Sequence, residues 1–120
     1  MKRTSYNLPN HAHFLTFSCF HRQQLLTSNN LRSQLLIAWN EARHTGNLAI
    51  WSYVIMPEHV HLLIYPKDEP YEMCRVLRLL KEGFTRQAVA YYRERTPQML
   101  NRISVLRGQR VVHRFWQEVA

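Results

Sequence analysis

Residues Leu48 to Tyr65 read LAIWSYVIMPEHVHLLIY. Two runs rich in β-branched and aromatic residues, Leu48 to Met56 and His59 to Tyr65, are separated only by Pro57-Glu58. That spacing predicts an antiparallel hairpin with a tight turn, because proline presets one turn dihedral and cannot donate to a ladder. Strand side chains alternate between faces, so Val60, Leu62 and Ile64 share the side that buries, and His59, His61, Leu63 and Tyr65 share the other. The two imidazoles then project together from Cα atoms about 6.6 Å apart. They can converge on one metal ion. Two histidines hydrogen-bonded to neighbours on a solvated sheet face fit the same pattern.

Upstream, His13 to Arg22 (HFLTFSCFHR) alternates as a buried strand, with Leu15, Phe17 and Cys19 on one side. Phe14, Thr16, Ser18 and Phe20 take the other side. Ser28 is placed to cap a helix over 29–45 whose apolar face is Leu31, Leu35, Ala38, Trp39 and Ala42, with Gly46 as its stop. Downstream, Asp68-Glu69-Pro70 opens a second helix running to Arg95. Its inward arc is Met73, Val76, Leu77, Leu80, Phe84, Ala88 and Tyr91. Gly83 inside it marks either a bend or a close approach. Thr96-Pro97 ends the helix, 98–110 reads as a polar, basic connection, and Val111 to Val119 reads as a last strand or the start of one. Trp39 and Trp51 read as core; Trp116 reads as core or as a stacking platform. The order strand, helix, strand, strand, helix, strand predicts an α+β, ferredoxin-like (RRM-like) antiparallel sheet with both helices on one face.

The 120 residues fit a single domain, 1–120. At 46% hydrophobic residues the chain can bury a core, and no run approaches the roughly 18 apolar residues of a membrane span. The basic N-terminus leads into Tyr6-Asn7-Leu8-Pro9-Asn10 with no apolar signal core, so a cytoplasmic protein is expected. Two cysteines, Cys19 and Cys74, make neither a disulfide framework nor a zinc site. Three glycines exclude a phosphate-cradling glycine loop. Sixteen Lys plus Arg against eight Asp plus Glu leave a net charge of +8, which suits a polyanionic partner. Arg75, Arg78, Arg86 and Arg93, flanked by Lys81, form a stripe opposite the apolar arc of the second helix. It is long enough to track several phosphates or to be a solvated face. His11-Ala12-His13 repeats the His-x-His spacing beside Pro9-Asn10 and reads as surface; His21, His44 and His113 are isolated.

MPEHVHLLI, after a strand and a capped helix, resembles the His-hydrophobic-His signature of the HUH endonucleases. Among these it is similar to the single-tyrosine insertion-sequence transposases and the REP-associated tyrosine transposases. The resemblance extends to the Phe/Thr-rich first strand, the long basic helix and the closing Arg114-Phe115-Trp116-Gln117. Glu58 stands where those relatives usually carry Asn. The resemblance implies DNA transposition by cleavage and rejoining of single-stranded or hairpin DNA, through a 5′-phosphotyrosine. It also implies a divalent ion, Mg²⁺ or Mn²⁺, on His59, His61 and a third polar ligand, DNA contacts from Arg75, Arg78, Lys81, Arg86 and Arg93, and a homodimer. No membrane and no small-molecule substrate are implied. The relatives carry their nucleophile on a helix after the Phe-Trp-Gln strand, so the tyrosine is expected beyond Ala120. Tyr6, Tyr53, Tyr65, Tyr71, Tyr91 and Tyr92 do not match that position, and Tyr91 and Tyr92 read as packing residues. A ferredoxin-like nucleic-acid-binding module without chemistry is the alternative, and a structural or dimerisation domain a third.

Overall fold

The computed structural model describes residues 11–68 and 70–118. Tyr6 and the rest of 1–10, Glu69, Val119 and Ala120 lie outside the described residues. The chain is α+β, with a three-stranded antiparallel sheet in the order β1-β3-β2. The strands are β1 (His13–Ser18), β2 (Leu48–Ile55) and β3 (His59–Pro66). The hairpin between β2 and β3 forms as expected, closed by Met56 N–H donating to the His59 carbonyl at 2.8 Å. As the central strand, β3 alternates without a break: Val60, Leu62 and Ile64 are fully buried, while His59, His61, Leu63 and Tyr65 are half-buried.

The buried face packs under two helices. Helix α1 (Asn29–Thr45) is capped by Ser28, whose hydroxyl accepts from Leu31 N–H at 3.3 Å. It buries Leu31, Leu35, Ala38, Trp39 and Ala42 as expected. Helix α2 (Met73–Arg95) buries Met73, Val76, Leu80, Phe84, Ala88 and Tyr92. It begins later than Asp68-Glu69-Pro70 suggested, at a Glu72 cap with extended backbone. Tyr92 is buried and Tyr91 only half-buried, because the apolar stripe drifts round a helix this long. The indole N–H of Trp39 donates to the Leu80 carbonyl at 3.2 Å, tying the helices together with no buried polar group left over at that point.

The C-terminal part corrects the expected topology. Residues 98–110 are not one connection: they hold α3 (Gln98–Arg102) and β4 (Ser104–Arg107). The segment expected over 111–119 as a strand or the start of one divides in two. Its first half is β5 (Arg110–His113), which pairs with β4 as a separate hairpin around Gly108, a glycine at φ 64°. Its second half meets the main sheet through one bridge, Trp116 to Cys19, beside β1. The reason is packing. Phe115 and Trp116 are both buried, at 0% and 6% exposure, against Phe84 and Phe17. Two successive inward side chains cannot be accommodated by a strand's alternation.

Two smaller corrections concern the main sheet. The first strand stops at Ser18, and Phe20–Arg22 is a 3-10 turn in which Phe20 turns inward. Trp51 is not core: a β-bulge between Ile50 and Ser52 leaves it 57% exposed, stacked on Tyr65 at 5.1 Å on the uncovered face. At Gly83 no close approach is found, since a Cβ there would meet nothing within 4 Å. Among the described residues no helix is long and apolar enough to cross a membrane.

Candidate functional site

The face of the sheet away from the helices is built in rows across the three strands. One row is Thr16, His61 and Val54; the next joins Ser18 to His59. The Nε2 atoms of His59 and His61 lie 3.1 Å apart, with the ring planes at 85°. Strand alternation puts both rings on one face but does not aim them, and each ring is contacted by a neighbour. The Thr16 hydroxyl meets His61 Nδ1 at 3.0 Å, and the Glu58 carboxylate meets His59 Nδ1 at 3.2 Å. Phe14, 68% exposed, stacks on the His61 ring at 5.4 Å and fixes its tilt.

One proton arrangement satisfies all three polar contacts. Thr16 O–H donates to His61 Nδ1, His61 Nε2–H donates to His59 Nε2, and His59 Nδ1–H donates to the Glu58 carboxylate. A divalent ion fits the same pair. Two nitrogens about 2.1 Å from one ion and 3.1 Å from each other subtend roughly a right angle at it, the angle between adjacent octahedral ligands. Binding would move the His61 proton to Nδ1, where it donates to Thr16, and leave Glu58 orienting His59 as an outer carboxylate. Among the described residues no three His, Cys, Asp or Glu side chains are grouped so as to hold a metal ion, and the two imidazoles are the candidate donors. Imidazole suits Mn²⁺ better than Mg²⁺.

Arg22 reaches this end of the sheet from beyond β1. Its Nη1 donates to the Ser18 hydroxyl at 3.2 Å, and Ser18 is the register partner of His59. His21 and Arg22 both take left-handed backbone, φ 53° and 56°, which costs about 1–2 kcal/mol per residue without glycine. The turn is held there by Arg22 N–H to the Cys19 carbonyl (2.8 Å), by His21 N–H to Gln117 Oε1 (2.9 Å) and by Phe20 stacked on His21.

The arginine stripe is elsewhere. Arg75, Arg78, Arg86 and Arg93 are set on α2 opposite its buried arc, hence on the helical side, away from the histidines. Arg78 and Arg86 line a groove of about 460 Å³ between α1 and α2, together with Glu41 and Glu82. Lys81 leaves the stripe: it is half-buried, its Nζ 4.7 Å from the centre of the Phe17 ring. Of the expected site residues, His59 and His61 meet one another, whereas the five basic residues do not join them. Sequence reasoning missed Thr16, Glu58 and Arg22. Thr16 was reachable from alternation once β1 was paired with β3. Arg22 was not, because a left-handed turn without glycine leaves no mark in composition.

The tyrosines are placed by packing. Tyr53 meets Trp39 edge-on and Tyr65 stacks under Trp51. Tyr71 OH lies 2.5 Å from His13 Nε2. Burial, followed by the neighbouring Cys19 and Tyr91, pushes the Tyr92 phenol up to about 12. Burial likewise pushes the Cys19 thiol up to about 12, so it is an inert core group.

No family model matches the sequence, and no curated protein matches it. Solved structures do. A REP-associated tyrosine transposase bound to a REP hairpin superposes with TM-score 0.62 and 23% identity over 72% of this chain and 52% of its own. A protein named as a transposase, from Deinococcus radiodurans R1, gives TM-score 0.62 and 18% identity over 82% of this chain and 75% of its own. The chain thus spans about half the length of the first of these structures. At these identities the likeness is one of architecture: over most of its residues the chain has the fold of those two proteins.

Proposed function

We propose that this chain binds single-stranded or hairpin DNA and holds a divalent ion for transposase-type strand cleavage and rejoining of the HUH kind. One observation carries the reading: two imidazole Nε2 atoms converge to 3.1 Å on the uncovered sheet face, each ring held by a second hydrogen bond. The fold supports it, since the REP-associated transposase that shares it is bound to a REP hairpin. In this reading the sheet is a ferredoxin-like one whose fourth strand has shrunk to the Trp116–Cys19 bridge, next to β1.

A bound Mg²⁺ or Mn²⁺ would polarise the scissile phosphate and offset the charge building on it. His59 and His61 hold that ion, Glu58 and Thr16 keep the rings aimed, and the open face leaves room for a strand to cross. Arg75, Arg78, Arg86 and Arg93 contact phosphates of flanking DNA. The nucleophile is a tyrosine outside the described residues. Its phenol oxygen bonds to phosphorus, the 3′ hydroxyl leaves, and the 5′ phosphate stays joined to the protein. Two copies acting together belong to the same reading.

Calorimetric titration with Mn²⁺ tests it. One site is expected in the wild-type chain, lost in His59→Ala and in His61→Ala with circular dichroism unchanged. A wild-type chain that binds no divalent ion would sink the metal reading. The alternative, a nucleic-acid-binding module without chemistry, draws on Phe14 and Trp51, exposed by 68% and 57% on that same face as stacking platforms. It predicts DNA binding indifferent to EDTA.

A further inference from the structure

Arg22 belongs to no part of the function proposed above, yet the fold goes to some length to place it. Two consecutive non-glycine residues, His21 and Arg22, sit in left-handed backbone. The turn is stitched from three directions: Cys19 before it, Gln117 from the C-terminal segment, and Gln23 after it. Gln23 Nε2 donates to the Phe20 carbonyl at 3.2 Å and to the Arg102 carbonyl at 2.8 Å. Backbone held against its preference by this many contacts marks a position whose direction matters. The direction here is toward Ser18 Oγ, 3.2 Å from Arg22 Nη1. Ser18 faces His59 in register, so the guanidinium lies at the histidine end of the open face. Among the described residues no carboxylate pairs with Arg22.

We propose that Arg22 and Ser18 form a phosphodiester subsite beside His59 and His61. It grips one non-bridging oxygen of the DNA backbone while the other faces the imidazole pair. A guanidinium suits this role because it is always charged, and its fork of N–H donors leaves several free after Ser18 has accepted one. The Ser18 hydroxyl, accepting from Arg22, keeps its own hydrogen to donate to the same phosphate. The subsite rests on the DNA-binding reading and adds the residue that orients the strand across the histidines.

The test is affinity for a short single-stranded oligonucleotide, measured by fluorescence anisotropy across a salt series, with Mn²⁺ and with EDTA. Arg22→Gln is expected to weaken binding about tenfold and to lower the slope of log affinity against log salt by about 0.7, one phosphate contact on a single strand. Arg22→Lys, which keeps the charge without the fork, should recover the slope but only part of the affinity. Arg22→Gln should bind Mn²⁺ by calorimetry as the wild type does. Affinity within twofold of wild type with an unchanged slope would overturn the subsite. So would loss of Mn²⁺ binding in both variants, which would mean that Arg22 only props up the turn. If the wild type itself binds no Mn²⁺, the metal reading fails while the salt slope still reports on Arg22.

Discussion

Glu58 shows how one side chain decides what a histidine pair can do. Its carboxylate, 26% exposed, sits 3.2 Å from His59 Nδ1. It therefore holds a proton on that nitrogen and leaves Nε2 with a lone pair facing His61. Removing such an outer carboxylate typically costs 10–100-fold in metal affinity. Glu58→Ala should weaken Mn²⁺ binding by about that factor, read by calorimetry, while Glu58→Gln, which keeps an acceptor oxygen but not the charge, should lose less. Equal affinity in all three proteins would remove Glu58 from the site. His13 gives a second test at this scale. Burial, and then His11, hold its imidazole below the ordinary histidine value. The unfolded chain thus takes up a proton at His13 before the folded one does, so the penalty is absent at pH 8 and grows as pH falls below the ordinary value. His13→Gln should lose less thermal stability between pH 7.5 and 5 than the wild type, followed by circular dichroism. The histidines were legible because period-two alternation is enough to pair them. Thr16 and Glu58 needed the register and the turn, which alternation does not supply.

Among the elements, the two helix glycines separate conformational freedom from space. Gly83 is interior to α2, and a Cβ there would meet nothing within 4 Å. Gly83→Ala should therefore stabilise the fold by about 0.5–1 kcal/mol, because alanine has less chain entropy to lose in a helix. Gly46 caps α1 at φ −91°, a conformation any residue can take. A Cβ there would stand 2.9 Å from Leu79 Cδ1 and 3.0 Å from the Ala42 carbonyl oxygen. The leucine can swing away but the carbonyl cannot, so Gly46→Ala should destabilise by about 1–3 kcal/mol, as overpacking does. Chemical denaturation of both variants checks the opposite signs. Both helices and the β2–β3 hairpin were legible because each carries its own period and punctuation. The end of the fold was not. Phe115 and Trp116 both turn inward, and Phe17, Phe84 and the Cys19 bridge that make this favourable lie about 30–100 residues away.

The whole molecule distributes its charge in a way that the total of +8 conceals. The histidine pair and Arg22 lie on the open face of the sheet, whereas Arg75, Arg78, Arg86 and Arg93 lie on the outer surface of α2, across the sheet and helix layers. The principal extents are 44 × 32 × 22 Å, so DNA touching both surfaces has to pass round an edge of the protein. A strand of about four nucleotides, spanning roughly 25 Å when extended, can occupy the open face but cannot also follow α2. Its salt dependence should then reflect the contacts near the histidines alone. A hairpin with a longer stem can reach both surfaces. Replacing Arg78 and Arg86 together by Gln should leave affinity for a four-nucleotide strand within twofold of wild type. The same double variant should lower the log–log salt slope for a long hairpin by about 1.5–2, one unit or slightly less for each phosphate no longer neutralised. Equal reductions on both DNAs would mean that the stripe acts through the general field of the protein. No reduction on either would return α2 to a solvated face, since Glu41 and Glu82 in the same groove already offset part of its charge.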